Sequence, residues 1–111
     1  MNVSDLLTYC MHKEGAEQRV HDDWKSTQIL RDGVLFAMFH KIDGKPAVSL
    51  KSSEALASLL RNQHQDVRPS EHLNKAHWNT VMLNGSLKDS ELYYLVDASY
   101  QQAEPDHIPP L

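Results

Sequence analysis

The spacing of apolar residues changes repeatedly along the chain, and each change predicts an element. Val3, Leu6, Leu7, Cys10 and Met11 recur at helical intervals. Ser4 is placed to accept from an unpaired first-turn N–H, and Gly15 to stop the helix in the left-handed region. Residues 16–27 hold no such period and read as a polar, irregular connector anchored by Trp24. Three strands are predicted next. Thr27–Arg31 and Val34–His40 flank Asp32-Gly33, a pair that tolerates the positive φ of a two-residue hairpin turn. Ile42–Pro46 makes a second turn before Ala47–Lys51, in which Val48 and Leu50 face the core while Ser49 and Lys51 face outward. Val34–His40 is apolar on both faces, which places it at the centre of a sheet.

Ser52 or Ser53 caps a second helix, with Leu56, Leu59 and Leu60 as its apolar stripe and Arg61 near its end. Pro69 forces Arg68 into an extended conformation. Trp78–Leu83 has strand content and ends at Asn84-Gly85-Ser86; a last helix runs from about Lys88 to Gln102, with Leu92, Leu95, Val96 and Ser99 on one side. The order is α-β-β-β-α-β-α with a further short strand near Val67. Consecutive hairpins need antiparallel pairing, and the helical stripes need one sheet face to cover. The expected fold is therefore α+β: a two-layer sandwich with helices on one face of an antiparallel sheet. Residues 1–103 read as one domain, and residues 104–111, rich in proline, as a flexible tail.

Composition narrows the function classes. Cys10 is the only cysteine, so no internal disulfide can form, and a cytoplasmic home is expected; Cys10 itself reads as a small core hydrophobe. No run approaches the roughly 20 apolar residues of a membrane span, and no membrane role is expected. The first residues lack the basic-then-apolar pattern of a signal peptide. Net charge is −4, unevenly spread: residues 28–83 carry seven Lys/Arg against five Asp/Glu, residues 84–111 one against five.

Seven histidines invite a metal, but His64, His72 and His77 have no cysteine partners and no H-x-x-x-H spacing. The four glycines sit at turns or helix ends rather than in a phosphate loop, and there is no G-x-S-x-G. The expectation is a non-enzymatic domain with no catalytic residues, no metal and no cofactor. Binding fits better. Lys41, Lys45 and Lys51 cluster around the second hairpin and third strand, with Arg68 and Lys75 beside the extended segment. Such cations, with Asn74, His77 and Asn79 as polar supplements, are the mixture that contacts phosphates. The competing reading treats the lysines as edge-strand charges that discourage aggregation.

The densest polar stretch, His72-Leu73-Asn74-Lys75-Ala76-His77-Trp78-Asn79-Thr80-Val81, runs into Leu83 and Asn84-Gly85-Ser86-Leu87, with Ser99-Tyr100 later. With Gly15-Ala16, Phe36-Ala37 and Ser49-Leu50-Lys51, these residues resemble the MmcQ/YjbR-like proteins over most of the chain, Leu6 to about Tyr100. The resemblance implies an α-β(3)-α-β(2)-α fold similar to type III secretion chaperones and CyaY-like domains. It also implies DNA binding through a double-wing motif. Two departures stand out: Ala76 occupies a position often basic in relatives, and Val20–Trp24 lacks a Pro-Trp-Gly-like element. The lead expectation is DNA binding through basic hairpin wings by a monomer or weak dimer. The alternatives are a protein-interaction module with an exposed apolar patch and, less favoured, a small-molecule cavity lined by His72, His77 and Trp78. Without catalytic or metal partners, His72–Leu83 reads as a junction locking the final strand, with His72, Leu73, Trp78, Thr80, Ser99 and Tyr100 serving the fold.

Overall fold

The structure, a computed structural model, describes residues 1–23 and 25–104. Trp24, expected to anchor the first connector, and the proline-rich tail beyond residue 104 lie outside the described residues. The elements are α1 (Val3–Met11), β1 (Ala16–His21), β2 (Ser26–Arg31), β3 (Val34–Ile42), β4 (Lys45–Lys51), α2 (Glu54–Gln63), β5 (Arg68–Pro69), β6 (Trp78–Met82) and α3 (Asp89–Gln102). All six strands form one antiparallel sheet in the order β1-β2-β3-β4-β6-β5. The fold is α+β, with an antiparallel sheet and three helices as expected.

One strand more is present than the sequence reading foresaw. Ala16–His21, read as irregular, is β1, the edge strand paired to β2 along its whole length. Its central residues are all exposed, Val20 to 68%. A strand with neither face buried has no reason to alternate, so periodicity cannot reveal it. Both Asp-Gly turns form as read: Asp32 and Gly33 sit at φ 48° and 87°, Asp43 and Gly44 at φ 51° and 77°, the positive pairs a tight hairpin requires.

The helix caps differ in detail. Asn2 rather than Ser4 caps α1, its Oδ1 accepting from the Asp5 N–H at 2.8 Å. Helix α1 ends at Met11, so Gly15 (φ 78°) serves the turn into β1 instead of the helix stop. Ser53 caps α2 by accepting from the Leu56 N–H. The stripe of α2 is shifted: Ala57 and Leu60 are buried while Leu59 is 48% exposed.

Side chains directly opposite one another in antiparallel strands share a face, so the pairing assigns every strand residue to a layer. Ile29, Ala37, Phe39, Val48, Leu50 and Val81 lie on the face that meets Leu6, Cys10, Leu60, Leu92, Leu95 and Val96 of the helices. Burial pushes the Cys10 thiol up to about 12, which keeps it protonated, in line with its reading as a core hydrophobe. Between Leu35 and Ala37 the β2–β3 register slips by one residue, leaving Phe36 without a partner on β2. This bulge turns Phe36 toward the helices, where its ring meets Tyr100 edge-on at 5.3 Å.

Candidate functional site

Among the described residues the other sheet face carries no helix, although Ser26, Leu30, Met38, Ala47, Ser49, Trp78 and Thr80 on it are buried. The pairing places Glu17, Arg19 and His21 of β1 there, with Ser26, Gln28 and Leu30 of β2. From β3 come Met38 and His40, and from β4 Lys45, Ala47, Ser49 and Lys51. Trp78, Thr80 and Met82 of β6 and Arg68 of β5 complete it. Among these strand positions Arg19, Lys45, Lys51 and Arg68 stand against Glu17 alone, and Glu17 is paired with Arg19 at 3.3 Å. The helices have the opposite balance: Asp5, Glu54, Asp89, Glu91 and Asp97 against Arg61. The open-face strand positions are thus the more basic set, although Arg31 and Lys41 lie on the helix side and Asp43, Asp66 and Glu71 lie beside the open face.

The sequence-predicted cations do not form one cluster. Lys45 and Arg68 lie near the β3–β4 turn, with Asp43 and Asp66 close by. Lys51 lies six residues along β4, about 20 Å away, opposite Trp78. Lys41 pairs with Pro46 and so points to the helix side, although it reaches a cavity where β3 overruns β2. Asn74 and Lys75 are exposed on the loop before β6, where the Asn74 Oδ1 accepts from the Ala76 N–H and the Lys75 carbonyl accepts from Arg61. Arg19 was missed because β1 was missed.

The dense polar stretch is chiefly internal. Ser52 and His77 are joined twice, the Ser52 N–H donating to the His77 carbonyl at 2.9 Å and His77 Nδ1 meeting the Ser52 carbonyl at 3.0 Å. Trp78 is 7% exposed. Asn79, expected to supplement a ligand contact, faces the helices at 3% exposure. Its amide nitrogen donates to the Ala57 carbonyl, and its oxygen accepts from Arg61, at 3.0 and 2.9 Å. Thr80 closes a triangle of hydroxyls with Ser49 and Ser70, every side 3.0 Å. Ser49, read as outward, does face away from the helices but is fully buried beneath that triangle and His40. Leu73 is half-buried, and His72 is exposed beside the cavity.

Ser99 and Tyr100 are equally structural. Ser99 Oγ takes the Lys51 N–H and donates to the Phe36 carbonyl. Tyr100 donates its hydroxyl to the Glu14 carbonyl, and its ring carries Arg31 at 4.1 Å and Lys13 at 5.1 Å.

On the open face a cavity of about 610 Å³ has Met38, Ile42 and Pro46 as apolar walls and Ser26, His40 and Thr80 among its polar ones. His72 lines it, whereas His77 and Trp78 do not, so the motif cavity considered from sequence does not form as drawn. Among the described residues no cluster of His, Cys, Asp or Glu is arranged to hold a metal ion. No helix there is long and apolar enough to cross a membrane.

His40 Nε2 lies 3.0 Å from Ser49 Oγ. Burial, reinforced by His72 and opposed by Glu71, holds its imidazole below the ordinary 6.5. The unfolded chain therefore takes up this proton first as pH falls, and the fold loses stability below about 6.5 while being indifferent above it. His40→Gln keeps a polar side chain that does not titrate. Between about pH 7.5 and about pH 5 the wild-type melting temperature should fall more than the variant's. Equal falls would remove His40 from this explanation.

Comparison with known proteins agrees with the fold. The YjbR family matches residues 11–102. The chain is 68% identical over 103 residues to the uncharacterised protein YjbR of Escherichia coli K12, covering 93% of this chain and 87% of that one, and equally to its counterpart in strain O157:H7. A crystal structure from Deinococcus radiodurans superposes with TM-score 0.84 at 26% identity, over 96% of this chain and 81% of that one. One from Pseudomonas syringae gives TM-score 0.81 at 23% identity over 93% and 99%, a likeness of fold. The chain belongs to the YjbR family.

Proposed function

We propose that this protein binds DNA through the open sheet face, with Lys45, Lys51 and Arg68 contacting backbone phosphates and Arg19 extending the contact toward β1. The observation that carries the reading is the charge of the strand positions on the face without helices: Arg19, Lys45, Lys51 and Arg68 against Glu17. A neutral or acidic open face would have told against it. Lys75 and Asn74 extend the footprint on the loop before β6, whereas Lys41, which points to the helix side, is left out of it. Asn79 has no part, because both ends of its amide are used inside, and His77 positions the loop through Ser52. No enzymatic step is assigned to the face.

Phosphate contacts release counterions, so log affinity should fall linearly with log salt, with a slope of about −0.9 for each phosphate neutralised on duplex DNA. Fluorescence anisotropy with a labelled duplex at low salt measures this. The triple variant Lys45→Glu, Lys51→Glu, Arg68→Glu should lose about a hundredfold in affinity and flatten the slope by about 2–3. Lys88→Glu, at the start of α3, should change little. No binding at tens of micromolar protein, or equal losses in both variants, ends the proposal.

A second reading, a protein-interaction module, draws on another place. Leu59 and Tyr94, 48% and 62% exposed, border a groove of about 280 Å³ between α2 and α3 with Leu56, Leu60 and Leu95. That reading expects no DNA binding and a self-association weakened by Leu59→Ser, which sedimentation velocity would register.

A further inference from the structure

We propose that the open-face cavity is a binding site for a small ligand with an apolar body and one anionic oxygen group, phosphate or carboxylate. This site does not depend on the DNA reading. The cavity forms where β3 runs past the last β2–β3 pair, Thr27–Phe39, so both layers contribute to its walls. Its volume, about 610 Å³, falls in the range of small-molecule sites, as does an apolar lining with a few convergent polar groups.

The observation that points to a ligand is Ser26. Its side chain is 3% exposed and lines the cavity, and among the described residues its Oγ has no hydrogen-bond partner. Nearby hydroxyls have settled among themselves: Ser49, Ser70 and Thr80 close their triangle, and His40 joins it at Ser49. A buried hydroxyl left out of such an arrangement is costly to the fold and is explained when a bound group completes it. Arg31 Nε, the other unpartnered buried side-chain atom among the described residues, lies on the helix side, where Arg31 packs on Tyr100. Charge sets the ligand's sign. Lys25 and Lys41 line the cavity with Glu71 as the opposing carboxylate, and His40 is kept neutral. An anionic oxygen near Lys25 and Lys41 would accept from Ser26 Oγ while the apolar body lies along Met38, Ile42 and Pro46.

The test uses the intact chain, with phenyl phosphate and benzoate as probes and phenol as the uncharged control, followed by amide chemical shifts. Saturable shifts are expected at Ser26, Thr27 and His40 with at least one anion, and weaker ones with phenol. Ser26→Ala should weaken that binding about three- to tenfold, the worth of a hydrogen bond, while leaving the melting temperature unchanged or raised, because no partner is lost. Lys41→Ala should weaken it comparably. Shifts that fail to saturate by about 10 mM, or spread equally over Arg19, Lys45 and Lys51, overturn the proposal. So does a Ser26→Ala protein that binds as before, or one that melts lower, which would make Ser26 structural. Saturable binding by phenol as tight as by the anions would overturn the anionic assignment.

Discussion

Ser99→Ala is expected to lower stability by about 2–4 kcal/mol and the melting temperature by about 10 °C or more. Beyond Ala37–Leu50, the β3–β4 ladder would next set Phe36 opposite Lys51. Instead the Ser99 hydroxyl is inserted between them, taking the Lys51 N–H at 2.9 Å and donating to the Phe36 carbonyl. Alanine leaves both backbone groups without this partner in a place where Ser99 itself is fully buried. An unsatisfied buried group costs about 1–3 kcal/mol, far more than the hydroxyl's net gain when paired. The same hydroxyl ties α3 to the sheet at the Phe36 bulge, so the deprotected amides in hydrogen exchange should include those of α3. Ser99→Cys, with a weak donor of similar size, should fall between. A melting temperature within about 2 °C of wild type would show that the strands close on each other without Ser99.

Asn79→Ala should cost about 2–3 kcal/mol, because one of the two bonds removed involves a guanidinium. Asn79 joins β6 to α2 through the Ala57 carbonyl and positions Arg61, which also holds the Lys75 carbonyl at 2.9 Å. Losing it frees α2 and the loop before β6 together. Amide exchange should therefore accelerate in α2 and residues 74–77 more than in β2 and β3. The variant that stays folded should bind a DNA duplex as well as wild type. Reduced affinity with unchanged exchange in α2 would instead return Asn79 to the role of ligand contact.

These two residues show what the sequence displays and what it hides. The hairpins were legible because Asp32-Gly33 and Asp43-Gly44 meet a backbone demand that few residue pairs meet. The faces of β4 and β6 were legible from alternation, and alternation alone would have grouped Asn79 with Val81 and Leu83, on the helix side. Polarity misled there: an amide satisfied by another helix looks, in one dimension, like an amide awaiting a ligand. Alternation also says which way Ser49 points but not what covers it, and Ser49 is fully buried. Strand β1 escaped because neither of its faces is buried. Ser26 and Lys25 gave no signal, since their significance lies in a cavity edge built from three elements. The basic set of strand positions was half visible, in the basic middle of the chain. Its assignment to one face needed the register.

The same comparison changes the meaning of the His72–Thr80 stretch. His77 holds Ser52, Asn79 holds α2, and Thr80 holds β4 and Ser70. Three neighbours reach three different parts of the structure, so the stretch works as a junction of the fold. The proposed DNA contacts lie beside it, on the face bounded by Lys45, Lys51 and Arg68.

The most direct measurement is a map of amide chemical shifts as a DNA duplex is titrated into the labelled protein at low salt. The largest changes are expected at Arg19, Lys45, Lys51 and Arg68 and along the open-face positions of β1, β4 and β6, with α1 and α3 quiet. Changes concentrated at Leu59 and Tyr94, or none at all when the duplex is in excess, would contradict binding through this face.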